Sequence, residues 1–297
     1  MTPPRQILPG QLFEISARTY GRHFRFLPTA QVNQLLLYLF AVAAERSGIV
    51  FHALVVMANH YHLLGTDTRG ALPEFTEYLH SLVARSLNAL HGCDDKLWSG
   101  DGYTLLRPQA SEDVWARLLY ILGNPCAADL VEELADYPGV STEPRSYGRE
   151  IIIKRPDWFF SDSGEMPADA RFCVEVPEIL GLEVETFATE LASRLGAQEA
   201  QQRRSRRAAG RGVLGLKRLR QLRVGAVPRS REQWFTLRPR IAAKCPAARI
   251  AALRRLRAFE QSYAVARAAW LDGALDVVFP SGSYWLPRFA GACVAPP

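Results

Sequence analysis

The chain is predicted to fold as α+β, with a ferredoxin-like antiparallel sheet carrying helices on one face, followed by a mainly helical, basic C-terminal region. Three observations predict this. Over the first 150 residues apolar periodicity switches between two and 3.6 in the order strand, helix, two strands, helix, strand, helix. A Pro/Gly/Ser-rich stretch, ADYPGVSTEPRSYGRE, then separates residues 1–150 from residues 151–297. Charge divides at the same place: the first part holds 12 Lys/Arg against 16 Asp/Glu, the second 24 against 14.

QLFEISARTY alternates at Phe13, Ile15 and Ala17, as a half-buried strand does. Thr29 is placed to cap QVNQLLLYLFAVAAERSG, which sets Val32, Leu35, Leu36, Leu39 and Val42 on one helical face and stops at Gly48. IVFHALVVM and HYHLLGT, joined by Ala58 and Asn59, read as adjacent strands. LPEFTEYLHSLVARSLNALHG turns Phe75, Leu79, Leu82 and Leu90 inward as a second helix. GYTLLRP gives a short strand, and SEDVWARLLYILGNP a third helix with Ser111 as its expected N-cap. Beyond the boundary, EVETFATELASRL continues as a helix into QQRRSRRAAG, and ARIAALRRLRAFEQSYAVARAAW forms another. VVFPSGSYWLPRFAG ends the chain as a short strand and turn.

Composition removes several classes. No apolar run reaches the roughly 20 residues of a membrane span, and MTPPRQILPG lacks the apolar core of an export signal. The five cysteines are far apart and form no CxxC pair, which argues against a disulfide framework or a cysteine zinc site and for a cytoplasmic location. The basic second part suits nucleic acid, an acidic membrane surface or plain solvation.

Chemistry concentrates in VVMANHYHLL. On a strand His60 and His62 face one way and Tyr61 the other, so two imidazoles can share one divalent cation, or can simply be satisfied strand residues. On the third helix Tyr120 and Asn124 lie one turn apart on a common face. A phenol there can attack a phosphate and an amide oxygen can ligate a cation; equally, Tyr120 can be a core aromatic and Asn124 a helix terminator before Pro125. Tyr103, Tyr137 and Tyr147 are competing nucleophiles without an amide so placed, and His23, His52, His80 and His91 stand singly.

Together these stretches resemble the single-tyrosine HUH transposases (histidine, bulky hydrophobic residue, histidine). VVMANHYHLL is similar to that family's VMPNHxHLL, and YILGNPCAADLVEELADYPGVS to the nucleophile helix of its REP-associated branch. The resemblance spans roughly residues 8–150. It implies an HUH endonuclease fold in which His60, His62 and Asn124 bind Mg²⁺ or Mn²⁺ and Tyr120 attacks the scissile phosphate. The implied substrate is single-stranded DNA, commonly hairpin-bearing, and the implied product a 5′-phosphotyrosine with a free 3′-hydroxyl. Relatives are monomers or homodimers, so a homodimer stays open. Ala58 replaces the motif's usual proline, freeing the turn that aims His60, and LWSGDGYTLLRP matches only part of the family's FxGRFK segment.

From 203 to 223 there are nine cations and no acid: Arg203, Arg204, Arg206, Arg207, Arg211, Lys217, Arg218, Arg220 and Arg223. They are expected either to form a nucleic-acid track, helped by the Arg/aromatic helix after it, or to be a solvated helix face. Three functions follow: a transposase-like strand-cutting enzyme, a silent binding module of the same fold for structured single strands, or a metal-dependent hydrolase of another phosphodiester.

Overall fold

The computed structural model describes residues 4–161, 164–230 and 239–296. β1 (Gln11–Thr19), α1 (Ala30–Ser47), β2 (Ile49–Met57), β3 (His60–Asp67), α2 (Leu72–His91) and β4 (Trp98–Pro108) follow the expected order. The strands lie as β2-β3-β1-β4, every neighbouring pair antiparallel. β3 is thereby inserted between β1 and β2, the split β-α-β arrangement of a ferredoxin-like sheet.

Local chemistry sets the boundaries. Thr29 accepts from the Val32 amide (3.2 Å) at the start of α1, and Gly48 ends it in the left-handed region at φ 69. β4 is longer than GYTLLRP, because the chain from Trp98 already pairs with Thr19 of β1. At α3 (Ser111–Leu122) the expected cap is corrected. Asp113, with two carboxylate oxygens to offer, accepts from the amides of Ala110 (3.0 Å) and Lys244 (2.7 Å), while the Ser111 hydroxyl donates to the Ile179 carbonyl (2.9 Å).

α1 and α2 cover one face of the sheet, over Phe13, Ile15, Tyr61 and Leu63, all buried. α3 crosses the opposite face, where Arg117 reaches Glu14 of β1. After it come α4 (Asn124–Ala127), the hairpin of β5 (Ile151–Lys154) and β6 (Asp169–Phe172), α5 (Val184–Ala208), α6 (Leu216–Leu219), β7 (Ile241–Ala242) and α7 (Pro246–Leu271). β7 adds a short parallel fifth strand at the end of β4, and residues 140–142 bond to the outer edge of β2, so each edge is partly covered. Phe187, Leu191 and Leu195 of α5 are buried in the same core as the sheet, with Phe187 stacked on Trp115 of α3 at 5.2 Å. The expected turn near the end of the chain is instead a short helix, α8 (Trp285–Ala290), after the strand β8 (Val278–Phe279). Among the described residues no helix is long and apolar enough to cross a membrane.

Candidate active site

Register on the sheet decides which side chains can meet. Ser16 of β1 and Val55 of β2 flank His62, and Arg18 and Met57 flank His60. Paired residues in an antiparallel ladder point to the same side, so Glu14, Ser16, Arg18, His60 and His62 share the face that α3 crosses. Tyr61 points the other way. Its ring meets Phe40 edge-on at 5.2 Å, and its hydroxyl is 2.7 Å from Nε2 of His80.

The two imidazoles stand 5.1 Å apart at 83°. Nδ1 of His60 is 2.8 Å from Oδ1 of Asn59, and the Asn59 amide nitrogen donates to the Arg22 carbonyl (3.1 Å). That second bond turns the amide oxygen toward His60, so Nδ1 must donate and the Nε2 lone pair is left for a cation. Burial, then the neighbouring His62, Arg18 and Arg22, hold the His60 pKa well below the usual imidazole range, which keeps the ring neutral as ligation requires. The turn is held despite lacking proline. Ala58 accepts from the amides of Arg25 (2.9 Å) and Phe26 (3.0 Å), and Asn59 from the Thr19 amide (2.9 Å).

His62 is buried, and its Nδ1 has no hydrogen bond; the carboxylate of Glu14 lies 3.5 Å away. Burial pushes the Glu14 carboxyl up, but the His62 and Arg117 side chains outweigh it and hold it below the usual carboxylate range. Arg117 donates from Nη2 to Oε1 (2.8 Å) and from Nε to Oε2, a bidentate pair joining α3 to β1. One turn on, the Tyr120 ring meets His62 at 5.3 Å and 88°, with the Arg117 guanidinium 4.1 Å from its centroid. Tyr120 is 46% exposed, so this ring is no core aromatic.

Asn124 opens α4, and Pro125 occupies its first turn, where a missing N–H costs nothing, so the helical path resumes after Gly123 instead of terminating. The Asn124 amide donates to the Tyr120 carbonyl (3.0 Å). Its oxygen accepts no hydrogen bond among the described residues. Nor, among those residues, is any group of three His, Cys, Asp or Glu arranged to hold a metal. A cation at the two imidazoles would need neutral or substrate oxygens to complete its shell, which the Asn124 oxygen or a phosphate could supply.

The competing groups are occupied elsewhere. Tyr137 donates to the Val56 carbonyl and Tyr147 to the His52 carbonyl, both buried, and Tyr103 pairs with Ala17 on the Tyr61 side. His52 bonds through both ring nitrogens, to the Glu175 carbonyl (2.9 Å) and to Thr66 (2.8 Å).

The nine basic residues separate into two groups. Arg206 is the clear correction to a nucleic-acid track. It is 2% exposed and bonds the Cys126 carbonyl (2.7 Å) and Glu132 (2.9 Å), because α5 turns that position into the core beside α4. Arg203 pairs with Glu133 (3.0 Å) and Arg211 with Asp129. Arg204 bonds its helix neighbour Gln201 (2.9 Å). Arg204, Arg207, Arg211, Lys217, Arg218, Arg220 and Arg223 are exposed. Their segment is anchored at both ends of the site: Leu214 and Gly215 bond the carbonyls of Asp129 and Leu130, just past α4, and Gly225 bonds Phe24, near the Arg22 that holds Asn59. Sequence reasoning missed Glu14 and Arg117; the only available signal was the i, i+3 spacing of Arg117 and Tyr120.

No protein-family profile matches the chain, and no curated protein matches it. Among solved structures the chain is similar to a REP-associated tyrosine transposase bound to a REP hairpin, at 18% identity and TM-score 0.42, over 58% of this chain and 98% of that one. It is also similar to a protein of Deinococcus radiodurans R1 described as a candidate transposase, at 22% identity and TM-score 0.29, over 42% and 97% of the two chains. At such identities the chemistry has to come from the residues of this chain.

Proposed function

We propose that the chain is a transposase-like, metal-dependent single-strand DNA endonuclease and strand transferase with Tyr120 as nucleophile. One observation carries the reading: a half-exposed tyrosine from α3 lies against His62, beside His60, within a single chain. His60, His62 and the Asn124 oxygen would hold Mg²⁺ or Mn²⁺. When bound, that ion supplies Lewis-acid polarisation of the scissile phosphate. The Tyr120 oxygen attacks phosphorus, losing its proton to solvent or a nearby base, and the P–O3′ bond breaks as the 3′-oxygen takes up a proton. One phosphodiester replaces another, so the 3′-hydroxyl can reverse the step and join strands without an external energy source. The exposed cations from Arg204 to Arg223 would neutralise backbone phosphates beside the site. The sequence resemblance makes hairpin-bearing single strands the substrate class to try first.

The test is a denaturing gel of the protein with such strands and Mg²⁺ or Mn²⁺, beside Tyr120→Phe. A covalent band that requires both metal and Tyr120 is expected. Tight binding by both proteins without any band would instead favour the silent binding module.

A further inference from the structure

Glu14 is 4% exposed, and a buried carboxylate is costly unless its oxygens are used. Oε2 accepts from Nε of Arg117, and Oε1 accepts from Nη2 (2.8 Å) while lying 3.5 Å from Nδ1 of His62. That nitrogen is sealed from solvent and has no hydrogen bond. A neutral imidazole carries one proton, and a carboxylate can only accept, so the arrangement favours the proton on Nδ1 and leaves Nε2 as the ligand. The guanidinium held by the same carboxylate lies on the Tyr120 ring. A salt bridge serving only to fasten α3 to β1 would need neither of these approaches.

We infer that Glu14 is the positioning residue of this site, one carboxylate that orients the cation-binding nitrogen of His62 and, through Arg117, the ring of Tyr120. Asn59 sets the ring of His60 by a hydrogen bond of 2.8 Å; Glu14 would set that of His62 by a charge 3.5 Å away. The inference rests on the proposed function for its catalytic meaning, but its geometry involves only residues of this chain.

Imidazole nitrogen NMR of the metal-free protein, in wild type and Glu14→Ala, reads the His62 tautomer directly. Wild type is expected to hold a single Nδ1–H form, and Glu14→Ala to lose it while His60 keeps its own. Mn²⁺ affinity, measured by titration of the EPR signal, should fall about 10- to 100-fold in Glu14→Ala. Adduct formation should fall by a similar factor in Glu14→Ala and in Arg117→Met, with the double variant little worse than either. Arg117→Lys should not rescue, because it keeps charge but loses the two-pronged fork. If Glu14→Ala fails to fold, Glu14→Met keeps much of the volume without an oxygen acceptor and the same measurements apply. An unchanged tautomer with unchanged Mn²⁺ affinity, alongside lower thermal stability, would reduce Glu14 to a fastener and overturn the inference. A tautomer that depends on Glu14 in a protein forming no adduct would keep the positioning role and sink the proposed function.

Discussion

The two faces of the sheet receive consecutive residues of one tripeptide, His60-Tyr61-His62, and treat them in opposite ways. On the α1/α2 face Tyr61 is enclosed, its hydroxyl bonded to His80 and its ring among Phe40, His80 and Trp98. The Trp98 indole donates to the His80 carbonyl (2.9 Å), so the Tyr61 hydroxyl and the Trp98 indole are both satisfied inside the protein. On the α3 face the groups stop short of mutual satisfaction: the Asn124 amide is used only through its nitrogen among the described residues, and Tyr120 stands half in solvent beside the histidines. A closed face stabilises the fold; a face with unspent, oriented groups is equipped to bind something else.

The largest expected effect breaks this comparison outright. Tyr120→Phe should abolish the covalent band while DNA affinity changes by less than about threefold, since one hydroxyl is lost from an otherwise intact surface. An adduct surviving in Tyr120→Phe would move the nucleophile elsewhere. His60→Ala and His62→Ala, or chelation of the wild type, should lower adduct formation at least about 100-fold, which quenched gel time courses would measure. His60→Ala should keep its folding, whereas His62→Ala, at a buried position, should stay folded with some loss of stability.

On the closed face the prediction inverts, with stability changing and chemistry unaffected at first order. Tyr61→Phe leaves Nε2 of His80 buried without its partner and should cost roughly 1–3 kcal/mol in urea unfolding. Acid sharpens the same point. Burial lowers the pKa of His80 on this face to about 4, from 6.5, and that of His52, which bonds Thr66 on the other face of the sheet, likewise. Above pH 6.5 both folded and unfolded chains hold these rings neutral; between 6.5 and 4 only the unfolded chain takes up the protons, so stability should fall as pH falls through that window. The slope should be smaller in His80→Gln. A slope unaltered by that substitution would mean that His80 is less enclosed than its neighbours imply.

The smallest effect concerns the cations bordering the open face. Neutralising Arg218 and Arg220 should weaken single-strand binding a few-fold and reduce the salt slope of log K by about 0.7 for each phosphate that is no longer neutralised. Neutralising Arg206 should instead lower stability and leave the slope alone, since that side chain is enclosed. Identical slopes for all three variants would assign the basic segment to solvation.

Elements with a long apolar period were legible in the sequence: α1, α2 and the paired strands β2 and β3 follow from residues such as Leu35, Leu39, Leu79 and Val55. The β5/β6 hairpin was not, since Ile151 and Ile152 are exposed and each strand has only four residues, too few to show a period. The histidine pair and Tyr120 were legible because period and spacing place them. Glu14 was not. In QLFEISART it reads as an ordinary solvent-facing acid between Phe13 and Ile15, and only the docking of α3, some hundred residues later in the chain, buries it. Arg206 failed for the same reason: a run of arginines does not reveal which one its helix turns inward.

Tyr120 is the one tyrosine among the described residues whose ring meets the histidine pair, and it does so within its own chain. On the proposed chemistry this fixes a stoichiometry. Each molecule can hold a single strand end at a time, and a second cut must wait until the first end is passed on. Excision and joining of two ends would then require either two turnovers in sequence at one site or two molecules brought together, by the DNA or as a homodimer.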